Sequence, residues 1–406
     1  MKKIFYLSLL LLYIAIITIA QKDGLWSGTD EPRYVEYAIN LSHGDYLPNF
    51  EDYLWNGPGY PVFLFPFILL KIPFMFIRLI NSLLLLAAVY FYFLTLRLYM
   101  SERHALFFTC LFGIYPPFLR YIHYILPEIL AILLVCCFVF FYCKLYQKEG
   151  MEWKYVVISS GFLGYLALSK IVFGYVILAG LLLSLVLYIF KRKINYKKSL
   201  LVYLAALIFC IPYLIYTYSV TGKIFYWGNS GGSSLYWMST PYENELGDWI
   251  DARTMKKNAQ LFQHHHETFD SLKMLSYTES DDKLKKQAIR NIMQNPSKFL
   301  RNWVANVGRL LFNYPFSYTE QKLSTYFFLI PNMFIVVIFV LCIYPAILGR
   351  RLIPYEISGL LLFGLISFGG SSLLSAYNRQ FWPLVPIFFL WIAFVLSRIL
   401  KIEVEQ

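Results

Sequence analysis

The chain is expected to be an all-α polytopic membrane protein, a bundle of about ten transmembrane helices. Three observations predict this. Of 406 residues, 58% are apolar and only 15% are charged, where a soluble domain is nearer a quarter charged. Apolar runs of about twenty residues, the length that crosses a bilayer, recur along the chain. The net charge of +12 is divided among short clusters between those runs. These are Lys2-Lys3, Arg97 to Arg103, Lys144 to Lys154, Lys191 to Lys198, Arg350-Arg351 and Arg398 to Lys401. Basic clusters at alternate helix ends mark cytoplasmic loops and are unlike a nucleic-acid-binding patch. The 34 tyrosines and 36 phenylalanines suit membrane interfaces and packed bundle interiors.

Taken in order, helices are expected near 4–21, 75–99, 104–119, 126–146, 155–169, 171–190, 199–218, 326–348, 352–375 and 380–399. The first lacks an A-x-A-like cleavage site and reads as a retained helix rather than a signal peptide. Residues 58–99 are long enough for two spans. Two spans there would place Lys191 to Lys198 outside, against the positive-inside rule. Residues 58–72, broken by Pro58, Pro61 and Pro66, are therefore expected to lie at the interface or dip into it. This layout divides the chain into a core with its first outer loop (1–218, loop 22–60), an outer cap (219–325) and C-terminal helices (326–406). Within the cap, 243–274 and 279–301 read as helical, with a break at Asn295-Pro296. The six cysteines lie in apolar segments and read as small core residues.

The first outer loop holds the densest chemistry, Asp30-Glu31-Pro32-Arg33-Tyr34-Val35-Glu36. A charge at a helix centre in hydrocarbon costs roughly 2.5–3.5 kcal/mol on insertion scales. Such residues therefore lie in the water layer or serve chemistry. Thr29 or Asp30 can cap a helix with Pro32 in its first turn. Tyr34, Ala38 and Leu41 would share one face of it, and Arg33, Glu36, Tyr37 and Asn40 another. Taken alone, this is equally a capped surface helix with an Arg33–Glu36 pair. Asn56-Gly57-Pro58-Gly59-Tyr60-Pro61 reads as a turn. Glu128 opens an apolar helix, where it can satisfy free N–H groups or serve a site. Lys170 can snorkel to the interface or bind an anionic headgroup. Arg379 offers a planar fork for phosphate. Arg33, Lys170 and Arg379 thus fall on the same side of the membrane as Asp30 and Glu128. His264-His265-His266 cannot all face one ion from a helix, and no metal site is assigned.

These strings resemble motifs of GT-C class glycosyltransferases, most closely the protein O-mannosyltransferase and lipid A aminoarabinose transferase group. Asp30-Glu31-x-Arg33-Tyr34-x-Glu36 resembles the first-loop motif, and Pro58-Gly59-Tyr60-Pro61 the Pro-rich motif after it. Leu166-Ala167-Leu168-Ser169-Lys170 resembles the later basic motif. Tyr377-Asn378-Arg379-Gln380 through Pro386 resembles the arginine and Pro-x-x-Pro pattern of the final helices. Gly231-Gly232-Ser233-Ser234-Leu235-Tyr236 is similar to a loop segment of bacterial members. The match spans the chain, although each motif alone is loose. Asn56-Gly57 departs from it, because relatives often carry a lysine there. One phosphate contact is then missing or supplied by Arg379. A long catalytic-domain insertion is also absent.

The resemblance implies a GT-C-like bundle and a polyprenyl-phosphate-linked sugar donor. It also implies an active site on the outer face of a bacterial inner membrane. Asp30 would activate or bind the acceptor, with Glu31 and Glu128 the other catalytic carboxylates. Arg33, Lys170 and Arg379 would hold the donor phosphate, and Tyr34, Glu36 and Tyr60 the substrate. No cofactor is assigned, and a divalent metal is left open. The acceptor is a glycan, a lipid or a protein, and the sugar a hexose or pentose. The chemistry agrees from first principles. Attack at an anomeric carbon needs a base on the acceptor hydroxyl, and a departing lipid phosphate needs fixed cations. One direct displacement inverts that carbon. No Gly-x-x-x-x-Gly-Lys phosphate loop is present to hold a nucleotide sugar. The alternatives are an O-antigen polymerase or ligase, which would lead with arginines in large loops, and a lipid-linked sugar transporter. A transporter would show charges at mid-membrane and internal repeats.

Overall fold

The computed structural model describes residues 2–20, 24–26, 29–47, 52–250, 255, 262–318 and 321–401. Within them the regular structure is helical. Two short helices, α2 (Glu31–Ser42) and α3 (Gly59–Leu69), follow α1 (Lys2–Ala20). The bundle continues through α4 (Phe74–Arg97), α5 (Glu102–Gly113), α6 (Pro116–Tyr121), α7 (Pro127–Tyr146), α8 (Trp153–Ser169), α9 (Val172–Lys191) and α10 (Ile194–Thr221). The cap comprises α11 (Gly231–Met238), α12 (Gln263–Asp270), α13 (Tyr277–Gln294) and α14 (Pro296–Phe312). Last come α15 (Tyr326–Leu348), α16 (Tyr355–Ser372) and, after two short 3₁₀ turns, α17 (Val385–Phe394).

All ten predicted helices have counterparts. Seven helical segments among the described residues are long and apolar enough to cross a membrane. The other three counterparts fall short of that measure for separate reasons. The expected 104–119 helix is interrupted before Pro116-Pro117, because the residue before a proline leaves the α region. Helix α8 has 17 residues, and α16 carries Glu356 and a Gly/Ser-rich end. Helix α3 has 11 residues. At 1.5 Å per residue it reaches only about half of a ~30 Å hydrocarbon core. The expected dipping segment is thus a short helix. Its Pro61 sits in the first turn, where a missing N–H is harmless, and Pro66 lies inside.

Helix α7 and the 378–399 segment are central, each 72% buried across its apolar window, while α1 lies at the periphery at 17%. Five of the six cysteines are buried in this apolar interior, as expected of small core residues. In the cap, the break at Asn295-Pro296 stands where the sequence placed it. The expected helix over 243–274 does not. Residues 243–250 form turns, and the helix is confined to α12 apart from residue 255; 251–254 and 256–261 lie outside the described residues. Gly247 at φ +75° and the buried Glu245 and Asp248 explain this, because their side chains bond to other segments instead of extending a helix. The cap has its own small core, in which Tyr236, Trp237, Phe262 and Leu284 pack together.

The loop between α1 and α4 is laced to the cap. The carboxylate of Asp52 accepts from Tyr277 N at 2.9 Å and Thr278 N at 2.7 Å, at the start of α13. An anion at a helix N-terminus both satisfies free donors and favours the helix dipole. Ser276 and Glu279 complete a capping box at the same end.

Candidate active site

Asp30 stands at the N-cap position of α2, yet its side chain does not cap the helix. Thr29 takes that task, its hydroxyl accepting from Glu31 N at 3.2 Å. The Asp30 carboxylate goes instead to two arginines. Arg33 Nη2 lies 2.8 Å from Oδ1, and Arg379 Nη2 bonds to Oδ2. Burial would push the Asp30 pKa up; Arg379 and Arg33 outweigh it and hold the carboxyl below its usual range. Arg33 also donates from Nε to Asn56 Oδ1 at 2.7 Å and lies over the Trp55 ring.

Glu128 likewise makes no cap at the start of α7. Its Oε1 receives Lys170 Nζ at 3.0 Å and lies 3.9 Å from Arg379 Nε. Its Oε2 is buried without a hydrogen-bond partner. Lys170 therefore does not snorkel; its side chain is only 13% exposed and points inward to Glu128. Three cations thus face two carboxylates, leaving one positive charge in a partly open cluster. Asp30, Arg33 and Arg379 each keep about a quarter of their side chain exposed.

Glu31 serves differently. It is fully buried, and both its oxygens are engaged. Oε1 accepts from Ile125 N at 2.7 Å; Oε2 accepts from Trp26 N at 2.7 Å and from Arg78 Nη2 at 3.3 Å. It ties the segment before α2 to the turn that precedes Glu128. Asn81 holds the same turn by donating to Ile122 O and Tyr124 O. Arg78 and Asn81 escaped the sequence reading. Their signal was present, since two polar residues early in the apolar α4 need partners.

Glu36 is exposed and takes part in none of these ion pairs. Its expected pairing with Arg33 gives way to the Asp30–Arg33 contact one turn earlier. Tyr37, assigned by periodicity to the polar face with it, is buried and stacks on Tyr46 at 4.9 Å. The polar face of α2 is narrower than the helical spacing suggested because the stacked Tyr37 and Tyr46 rings cover part of it. Tyr34 accepts from Asn56 Nδ2 at 2.8 Å and packs edge-on against Tyr60 at 5.2 Å. The Tyr60 hydroxyl is buried without a partner.

Two glycines bring the basic motif to this place. A Cβ on Gly57 would lie 2.1 Å from Leu168 O, and one on Gly59 2.4 Å from Ser169 Oγ. Tyr165 also donates to Gly59 O at 2.9 Å. The turn is pressed against the end of α8, immediately before Lys170. Gly59→Ala should therefore lower stability by about 1–3 kcal/mol through overpacking and displace Lys170. Thermal unfolding in detergent reads this as a lower midpoint, and an unchanged midpoint would refute the close-packing account. On the other flank Asn306 of α14 donates to Ser372 O and Leu374 O and accepts from Ala376 N. It fixes the segment that leads to Arg379.

No protein-family model matches the sequence, and comparison with curated proteins found no match. Solved structures do match. The apo oligosaccharyltransferase of Archaeoglobus fulgidus aligns at TM-score 0.57 and 15% identity, over 98% of this chain and 50% of that one. The oligosaccharyltransferase AglB of Archaeoglobus fulgidus in complex with an inhibitory peptide and a dolichol-phosphate aligns at 0.54 and 16%, with the same coverage. ArnT from Cupriavidus metallidurans bound to undecaprenyl phosphate aligns at 0.44 and 12%, over 97% of this chain and 76% of that one. The chain spans half the length of the oligosaccharyltransferases.

Proposed function

We propose that this chain, which has the GT-C fold that its first-loop motif suggested, transfers a sugar from a polyprenyl-phosphate donor to an acceptor hydroxyl. The observation that carries the reading is the convergence of Asp30, Arg33, Glu128, Lys170 and Arg379, from four separate segments, into one partly open cluster. Such charges are costly beside hydrocarbon and need a reason to gather. A phosphodiester carries one negative charge, which matches the single uncompensated positive charge. The donor phosphate would draw Arg33 and Arg379 from Asp30 and free that carboxylate. Asp30 then takes the acceptor proton, the acceptor oxygen bonds to the anomeric carbon, and the carbon–oxygen bond to phosphate breaks. The departing electron pair goes to the phosphate, whose growing charge the three cations stabilise. The displacement inverts the anomeric carbon. Glu31 acts as a positioning residue, and Tyr34 and Tyr60 line the substrate.

The basic clusters between helices support an outward-facing site in the cell membrane. The dolichol-phosphate in the oligosaccharyltransferase complex supports a lipid-linked donor. Purified protein in liposomes should transfer from one member of a panel of polyprenyl-phosphate sugars, with inversion. No transfer or donor hydrolysis across the panel, from a folded protein, would count against the reading. A cysteine placed at Ser276 should react with impermeant reagent in intact cells, and its protection would reverse the orientation.

A further inference from the structure

We infer that Glu245, His264 and His265 form a site for a divalent transition-metal ion, best suited to zinc, in the cap. This site lies apart from the acid–cation cluster and stands whether or not the chain transfers sugar. Glu245 is buried in the turns after α11, and the two histidines open α12. His264 Nε2 lies 2.8 Å from Glu245 Oε1, and His265 Nε2 lies 2.9 Å from the same oxygen. The three potential ligand atoms all fall within 4.8 Å of one another. Three consecutive histidines cannot reach one ion from a helix, but two can when the third ligand lies against its first turn. His266 does not belong to the group.

The spacing suits a small ion. Zinc–nitrogen and zinc–oxygen bonds of about 2.0–2.2 Å set tetrahedral ligand edges of about 3.3–3.6 Å. The two Glu245–histidine contacts need to open by about half an ångström as the ion replaces shared protons. The outer contacts are already those of a metal centre. Tyr236 OH lies 2.8 Å from His265 Nδ1, so that ring can present the Nε2 lone pair with its proton on Nδ1. Thr240 donates to Glu245 Oε2, which fixes the carboxylate. Two imidazoles with one carboxylate favour zinc over magnesium or calcium. Three protein ligands leave a fourth position for water, and His264, with 30% of its side chain exposed, marks the way in.

The ion would clamp the 240–250 turns to α12. Those turns carry Trp249, which packs edge-on against Trp55 at 5.6 Å, and Trp55 lies beneath Arg33. The site thus holds the part of the cap that meets the first outer loop. The test uses the full chain, purified in detergent and stripped with chelator. Titrated Zn²⁺ should bind at one equivalent per chain and raise the unfolding midpoint, and Co²⁺ should give the visible spectrum of a four-coordinate ion. Glu245→Gln and His264→Ala should each weaken zinc binding by at least about 10–100-fold, while His266→Ala should leave it unchanged. No saturable binding by the wild-type chain, or zinc binding that survives both variants, overturns the site. Should Glu245→Gln fail to fold, His264→Ala, on a partly exposed side chain, decides alone.

Discussion

Asp30→Asn should lower sugar transfer roughly 10²–10⁴-fold, the usual loss when a general base is removed, in a protein that stays folded. The substitution keeps the side chain's size and leaves one oxygen for Arg33 or Arg379, while the other arginine loses its acceptor and both lose the opposite charge. What disappears is the ability to take a proton. Initial rates at saturating donor, with circular dichroism and gel filtration on the same samples, check both halves of the expectation. Near wild-type transfer would remove Asp30 as the base. Glu128 would then be next in line, because its Oε2 is buried with no partner. The Asp30 variant should also differ in acid. The folded-state pKa lies below the unfolded value, so the ion pairs stabilise the fold at neutral pH. That stabilisation is lost only as pH falls through the depressed value. The Asn variant should lack this component of acid unfolding.

The second large effect is expected at the cations, and Arg379 heads it. It pairs with Asp30 and approaches Glu128, so it stands between the two carboxylates. Removing one fixed donor to a developing anion costs on the order of 3 kcal/mol, about 10²-fold in rate. Arg379→Ala, Arg33→Ala and Lys170→Ala should each weaken donor use more than acceptor use. Arg33→Lys keeps the charge but loses the planar fork that now spans Asp30 and Asn56, so it should fall between wild type and Arg33→Ala. Lys170→Ala also leaves Glu128 buried without its nearest cation, a change that destabilises as well as slows. Unfolding midpoints measured alongside donor-dependent rates separate the two. Unchanged donor dependence in all three alanine variants would mean that these cations only anchor helix ends.

Much of the bundle was legible in the residues. Apolar runs and basic clusters follow directly from the cost of charge in hydrocarbon, so helix number, order and approximate limits appear without any knowledge of packing. Pro296 marked its break for a similar reason, since a missing N–H is a local property, whereas Pro61 and Pro66, expected to interrupt their segment, lie within α3. The cap was less legible. Residues 243–250 have helix-compatible composition, but Glu245 and Asp248 find their partners in α12 and at Ser317. Long-range bonds of that kind leave no periodic trace.

The site divides along the same line. The sequence by itself determined the residue types and the helix ends at which they stand, because cations and carboxylates at the mouth of a bundle are conspicuous against an apolar background. Only the tertiary structure decided which of them meet. It turned Asp30 and Glu128 from helix caps into partners of Arg33, Arg379 and Lys170. It withdrew Glu31 to a buried clamp with Arg78, and it left Glu36 in solvent. The physical reason is that a cap is a contact within one turn. These ion pairs instead depend on two glycines that let the 57–59 turn press against α8, and on Asn306, which fixes the segment leading to Arg379.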